Sequence, residues 1–246
     1  MANKFYTPGE QRAAKVNDLF ATVARRYDLL NDLQSFGLHR RWKHRAVALA
    51  QPQPSDRALD LCCGTGDLAQ LLAATGADVT AVDFSTAMLE VAEQRQKTKG
   101  KGGKLEFQQG DAQQLPFADA SFEVVTIGYG LRNLASVDAG LSEMRRVLKP
   151  DGRLVILEFG KPTNTLWRWL YFNHLRFVTP LLGKLFCGDA AAYAYILESL
   201  QNYPAQAGIA QKLRDLGLAD VRGTNLLGGA MSLHFARQPV ASQSLA

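Results

Sequence analysis

The stretch Ala58-Leu59-Asp60-Leu61-Cys62-Cys63-Gly64-Thr65-Gly66-Asp67-Leu68-Ala69 constrains this chain more than any other. It opens as a short apolar run, which reads as a buried strand. It then breaks into a glycine turn and resumes as an apolar-periodic helix over Leu68–Ala74. Strand, glycine turn and helix in that order begin a nucleotide-binding α/β domain. Gly64 and Gly66 remove Cβ atoms where a ligand must touch backbone. The helix behind them points free N–H groups at that ligand.

The spacing Gly64-x-Gly66-x-x-Ala69 fits the dinucleotide fingerprint, and its context carries the weight. A second strand, Asp78–Val82, ends in Asp83. An acidic residue at that interval accepts hydrogen bonds from both ribose hydroxyls of a bound nucleoside. The geometry suits a nicotinamide dinucleotide and S-adenosylmethionine alike. In the plainer reading, Asp83 only caps the helix starting at Ser85.

The 246 residues suffice for one buried domain with insertions. A hydrophobic content of 47% with 21% charged residues is ordinary for a globular chain. The net charge of +5 favours an anionic membrane surface or an acidic ligand, with no nucleic-acid partner expected. Three cysteines make no disulfide framework. Adjacent Cys62 and Cys63 lack metal-pair spacing, so no metal is expected, and they read as small buried residues in a reducing compartment. Met1–Glu10 has no apolar core, and no run of about 18 uncharged apolar residues exists. Neither a signal peptide nor a membrane span is therefore expected, and the chain reads as cytoplasmic.

The pattern predicts a single domain over 1–246. A helical cap spans 11–50. Val16, Leu19, Phe20, Val23, Tyr27 and Leu30 share one face of its first helix, and a second helix runs from about His39 to Ala50. The cluster Arg40, Arg41, Lys43, His44 and Arg45 reads either as a solvated face or as a contact for lipid phosphates. A core over 57–160 alternates strands (57–62, 78–83, 105–108, 124–127, 153–159) with helices (66–74, 85–97, 136–148). Lys97–Lys104 reads as a mobile turn, and Lys149-Pro150-Asp151-Gly152 as a stop and turn. This alternation means a parallel sheet with right-handed crossovers. An insertion over 161–204 carries the aromatic stretches Leu166–Phe177 and Leu181–Phe186, broken by Arg168, Arg176 and Lys184. It reads as a lid over the sheet or as an amphipathic surface lying on lipid. Helix 205–216 and strands 220–227 and 230–237, joined through Gly228-Gly229, close the chain. A closing antiparallel pair departs from dinucleotide dehydrogenases. It matches the class I S-adenosylmethionine-dependent methyltransferase fold, an α/β fold with a seven-stranded, mostly parallel sheet.

Further segments resemble the UbiE/MenG quinone C-methyltransferases. They are Tyr27-Asp28-Leu29-Leu30-Asn31-Asp32 through Ser35-Phe36-Gly37-Leu38-His39-Arg40, and Arg146–Gly152 through Leu157-Glu158-Phe159-Gly160-Lys161-Pro162. Gly130-Leu131-Arg132-Asn133, Gly188-Asp189, Tyr193 to Tyr195, and Glu198-Ser199 to Pro204 follow the same pattern. The resemblance covers about 11 to 237. It implies methyl transfer from S-adenosylmethionine to a ring carbon of a prenylated or phytylated quinol. Members act in ubiquinone, menaquinone or phylloquinone synthesis, at a membrane. The wording Leu59–Asp67, with Cys62-Cys63 where other branches carry small residues, is similar to the phylloquinone branch. The implied substrate is then 2-phytyl-1,4-naphthoquinol, with demethylmenaquinone or a ubiquinone precursor as the alternative. Carried over by position, the cofactor contacts are Gly64, Thr65, Gly66, Asp83, Asp111, Ala112 and Gly128. Gly128 stands where some relatives have serine, so its contact has to be backbone. Gly160 replaces a common serine, a change taken as neutral. Asp111 also reads as a plain turn aspartate after Gly110.

A quinone ring carbon is electrophilic, so the substrate has to be the reduced quinol. Positioning and desolvation do most of the catalysis, helped by a proton acceptor or a cation beside the phenolate. Arg132, Asn133 and Tyr27 are the catalytic candidates, with His39 behind them as a packed or capping residue. Arg132 stays protonated, so it holds a phenolate or polarises a water, or else anchors the lid through an ion pair. Tyr129 reads as packing against the ring. The residues leave two other classes open: a nicotinamide-dependent oxidoreductase on the same glycine turn, and a noncatalytic cofactor-binding subunit. Homodimer formation is open as well.

Overall fold

Seven strands form one sheet in the order β3-β2-β1-β4-β5-β7-β6. They are β1 (Arg57–Leu61), β2 (Asp78–Asp83), β3 (Leu105–Gln109), β4 (Phe122–Gly128), β5 (Leu148–Phe159), β6 (Ala219–Leu226) and β7 (Met231–Arg237). The computed structural model describes residues 18, 20–22, 24, 27–99, 103–181, 184 and 191–240. β1 pairs in parallel with β2 and β4, β2 with β3, and β4 with β5. β7 runs antiparallel to both its neighbours. This is the expected sheet, a class I methyltransferase arrangement, with the second strand at its predicted bounds.

The helices follow from caps and apolar stripes. α1 (Tyr27–Ser35) and α2 (Leu38–Ala50) form the described part of the cap. Gly37, in the left-handed region at φ 72°, starts α2. α3 (Asp67–Ala73) and α4 (Thr86–Lys99) follow β1 and β2. α5 (Val137–Val147) is capped by Ser136, whose hydroxyl accepts from the Ala139 N–H, and buries Leu141, Met144 and Val147 along one face. α6 (Thr165–Asn173) starts at Asn164, whose side chain accepts from the Trp167 N–H, and runs on into a π-helical turn, His174–Val178. α7 (Ala191–Asn202) and α8 (Ala205–Asp215) lead to the final strands. Most of the helix expected over 11–30 lies outside the described residues, as do Leu182–Phe186 apart from Lys184, Gly188-Asp189, and the Tyr193 and Tyr195 side chains. Among the described residues, no helix is long and apolar enough to cross a membrane.

Two expectations change. Lys149–Gly152 does not precede the strand but sits inside β5 as a bulge. Between the pairs Phe122↔Leu148 and Val124↔Arg153, β5 spends more residues than β4, and Asp151 takes φ 63°. Gly160 is not neutral. Its backbone N–H bonds Ala230 O at 2.9 Å, and a Cβ there would meet Gly229 O at 2.4 Å. A serine here does not fit this packing without movement.

β1 shows why the central strands read as continuous apolar runs: Ala58 to Leu61 are all buried, between helices on both faces. Asp60 is the exception among them. One of its oxygens accepts from the Thr126 hydroxyl at 2.7 Å, and the other has no partner. Burial pushes its carboxyl up to about 7. A carboxyl raised in the folded state binds its proton more tightly there than in the unfolded chain. Stability therefore falls as pH rises from about 4 to about 7 and levels off above. Denaturant unfolding of Asp60→Asn across that range is expected to show a smaller loss than the parent, with the difference concentrated between pH 4 and 7.

Candidate active site

The C-terminal ends of β1, β2, β3 and β4 converge on a cavity of about 100 Å³, and a second cavity of about 730 Å³ lies beside it. Phe20, Tyr27 and Tyr129 belong to the walls of both. A crevice at the carboxyl edge of a parallel sheet is where such folds bind their ligands.

The smaller cavity is built from turns. Gly64 (φ 55°) leaves β1, and its N–H donates to Asp83 Oδ2 at 2.8 Å, while the Ser85 N–H donates to Oδ1 at 2.9 Å. Asp83 therefore holds the turn before the next helix and also belongs to the cavity wall. Burial raises its carboxyl above the ordinary range. Asp111 and Ala112 form the wall after β3, and Asp111 Oδ1 also accepts from the Gln113 N–H at 2.9 Å, as a turn aspartate does. Gly128 and Asn133 complete this side, with Asn133 Nδ2 bonded to Tyr129 O at 3.3 Å. A carboxylate for vicinal hydroxyls beside the apolar Val82 and Met88 fits the nucleoside of S-adenosylmethionine. Cys62 (φ 51°) lines the same cavity, and a Cβ at Gly130 would fall 2.3 Å from its own Cβ.

Thr65 and Gly66 stand elsewhere. The Thr65 hydroxyl donates to Asp28 Oδ1 at 2.8 Å, and neither residue belongs to either cavity wall. Gly66 (φ 82°) is required for packing, because a Cβ there would meet the Phe107 ring at 2.9 Å. Thr65 instead joins a charged network around the turn. Arg95 pairs with Asp28 at 2.6 Å and with Asp67 at 2.5 Å, and Lys43 pairs with Asp67 at 2.8 Å. Despite its burial, Asp67 is held down to about 2 by Lys43 and Arg95. Of the basic cluster on α2, Arg40, Arg41, His44 and Arg45 are exposed, whereas Lys43 points inward.

The larger cavity is mostly apolar, with Trp42, Phe159, Trp167 and Tyr171 among its walls. Arg132 lines it, only 5% exposed, with Nη1 on Glu158 Oε1 at 2.7 Å and on Tyr129 O at 2.5 Å. Its guanidinium stands 4.5 Å from the Phe159 ring centre. Arg132 and Asn133 thus face different cavities, and Tyr27 belongs to both. Burial pushes the Tyr27 phenol up to about 12, so it is a hydrogen-bond donor at neutral pH rather than a base.

Sequence reasoning undervalued Tyr129. It holds a left-handed backbone (φ 60°) at the junction of the two cavities, a strained state for an aromatic residue. Its hydroxyl is buried without a partner, as are His39 Nδ1 and Thr179 Oγ1, and all three residues line the larger cavity. Its position directly after Gly128, in the wall of the smaller cavity, was the available signal. Among the described residues, no cluster of His, Cys, Asp and Glu is arranged to hold a metal.

Comparison with known proteins agrees with this geometry. The ubiE/COQ5 methyltransferase family matches residues 9–238. The demethylmenaquinone methyltransferase of Desulfitobacterium hafniense (strain Y51) is 40% identical over 237 residues, covering 94% of this chain and 92% of the relative. The ubiquinone/menaquinone biosynthesis C-methyltransferase UbiE of Ectopseudomonas mendocina (strain ymp) is 42% identical over 236 residues, with the same coverage. Among solved structures, phosphoethanolamine N-methyltransferase 2 of Haemonchus contortus in complex with S-adenosyl-L-methionine superposes with a TM-score of 0.58. It has 19% identity and covers 79% of this chain and 52% of that one, a likeness of fold. The nicotinamide oxidoreductase and noncatalytic alternatives fall with these matches. The chain belongs to the ubiE/COQ5 methyltransferase family and is an S-adenosylmethionine-dependent methyltransferase.

Proposed function

We propose that the chain methylates a ring carbon of a prenylated or phytylated naphthoquinol, with 2-phytyl-1,4-naphthoquinol as its substrate. One observation carries the reading: a large apolar cavity and a small polar one share Phe20, Tyr27 and Tyr129 as walls. A lipophilic ring fills the first, and the nucleoside of the cofactor fills the second. Bound S-adenosylmethionine supplies an electrophilic sulfonium methyl. Arg132, fixed by Glu158, places positive charge beside the ring as its hydroxyl loses a proton. The apolar walls exclude water from that charge. Asp83, Asp111 and Ala112 orient the nucleoside, and Asn133 holds the Tyr129 turn. The names of the relatives support a quinone ring as acceptor, and they favour demethylmenaquinone or a ubiquinone precursor as the second reading.

The substrate is taken from lipid in this proposal, by a cytoplasmic protein held peripherally at the membrane. Phe36, Leu170, Phe177, Val178 and Leu227 line the larger cavity and are also exposed, Phe36 to 86% and Phe177 to 62%. They make an apolar rim around its mouth, with Arg176 exposed on the same turn as Phe177.

Labelled S-adenosylmethionine with reduced and oxidised 2-phytyl-1,4-naphthoquinone, demethylmenaquinone and demethylubiquinone precursor is expected to label the reduced naphthoquinols, the phytyl compound fastest. Equal rates for all quinols would remove the phytyl assignment. In isothermal titration, Asp83→Ala weakens S-adenosylhomocysteine by about 10-fold or more, the loss of a charge-assisted hydrogen bond. Thr65→Val, outside the cavity wall, is expected to stay within about 3-fold, less than one such bond. Phe36→Ser with Phe177→Ser is expected to lower co-sedimentation with anionic phospholipid vesicles while leaving cofactor affinity unchanged. Unchanged sedimentation would refute the apolar rim.

A further inference from the structure

The larger cavity contains a buried imidazole that the reading above does not use. His39 is 2% exposed and forms part of the cavity wall. Its Nε2 lies 2.8 Å from Asp32 Oδ1. Asp32 in turn receives Arg40 Nε at 2.9 Å and Arg40 Nη2 at 2.6 Å, which hold its carboxyl well below the usual range. An ionised carboxylate only accepts hydrogen bonds, so the shared proton sits on Nε2. Nδ1 then carries a lone pair, and it is buried without a partner. A fixed tautomer, an orienting carboxylate and an unpartnered ring nitrogen on a residue of the cavity wall together suit a general base.

We propose that His39, oriented by Asp32, accepts the proton of the quinol hydroxyl. The proposal rests on the quinol reading above. The hydroxyl proton moves to Nδ1, and its electron pair flows into the ring. The ring carbon bonds the sulfonium methyl as the C–S bond breaks, and that electron pair stays on sulfur as neutral S-adenosylhomocysteine. The methylated carbon then loses its own proton to water, and Nδ1 returns the first proton to oxygen. One methyl is transferred and one proton is released. Arg132 stabilises the anion but cannot take the proton, and the Tyr27 phenol is too weak an acid to spare its own. Two imidazoles, His39 and His174, are then left in this wall, and His39 is the one oriented by a carboxylate, Asp32.

The groups that set its titration are Asp32 from α1, Arg40 and Lys43 from α2, and Asp67 at the start of α3. Tyr27, Tyr129, Arg132 and His174 share the cavity wall. Burial lowers the imidazole below its ordinary value, the Asp32 hydrogen bond raises it, Lys43 lowers it, and the balance is downward. The base form is thus present at neutral pH, and activity is lost on the acid side.

The test is anaerobic single-turnover methylation of reduced 2-phytyl-1,4-naphthoquinone by the parent, His39→Gln and Asp32→Asn, from about pH 5.5 to 9, spanning the ordinary imidazole range. S-adenosylhomocysteine affinity is measured alongside as a control for folding. At pH 7, His39→Gln is expected to slow the step by about 100-fold or more, the usual worth of a general base. Quinol KM and S-adenosylhomocysteine affinity are expected to hold. The parent rate should fall on the acid side, whereas the His39→Gln rate should climb with hydroxide across the range. Added imidazole should restore part of the His39→Gln rate. Asp32→Asn, which weakens the orientation, should lie between the two, and it carries the test alone if His39→Gln does not fold. A variant rate within 3-fold of the parent with the same pH profile overturns the base. So does a slower variant that neither gains with pH nor responds to imidazole, because His39 is then structural. Methylation of no quinol by the parent, with cofactor affinity intact, overturns the substrate reading and this one with it.

Discussion

The Asp67 carboxylate holds the rest of the molecule in place. It sits at the first position of α3, where a helix N-terminus favours an anion, and accepts Lys43 from the cap and Arg95 from α4. Arg95 passes the connection on to Asp28 in α1, and Thr65 bonds the same Asp28. The cap is thereby fastened to the glycine turn by charge-assisted bonds that are mostly shielded from solvent. Such bonds are costly to break one partner at a time, because the remaining charge is left desolvated. Everything the cap brings to the site depends on that fastening: Tyr27 in both cavities, and His39 and Trp42 in the larger.

The fold was legible because its signals are local. Asp78–Asp83 reads as a strand from six consecutive residues, the turn at Gly64 from three, and α5 from the stretch 136–148 alone. Asp83, Asp111, Ala112 and Gly128 were legible as cavity walls because the carboxyl edge of a parallel sheet is set by topology. The Thr65 hydroxyl bond was hidden for the converse reason. Its partner Asp28 lies 37 positions away, and nothing in the glycine turn announces that the hydroxyl bonds a cap helix. The pairing of Arg132 with Glu158, 26 positions apart, was foreseen only as an ion pair of unspecified partner. The left-handed backbone of Tyr129 breaks the local preference of an aromatic residue, and such departures concentrate where function constrains the chain.

The two cavities divide the physical work. The smaller cavity is built from backbone turns and carboxylates, whose geometry is set by glycines and by hydrogen bonds from Gly64 and Ser85. The larger cavity is built mainly from side chains of the cap and the insertion, most of them apolar. Polar atoms left unpaired among the residues of such a wall are expensive, and His39, Tyr129 and Thr179 each carry one.

β6 is the outermost strand of the sheet. Most of it is exposed, its pairing with β7 breaks register between Ala219 and Arg222, and Arg222 folds back onto Asp220 at 2.5 Å. An edge with a bulge and fixed charges offers a poor template for another strand. Such an edge resists the strand-to-strand stacking that leads open sheets into fibrils.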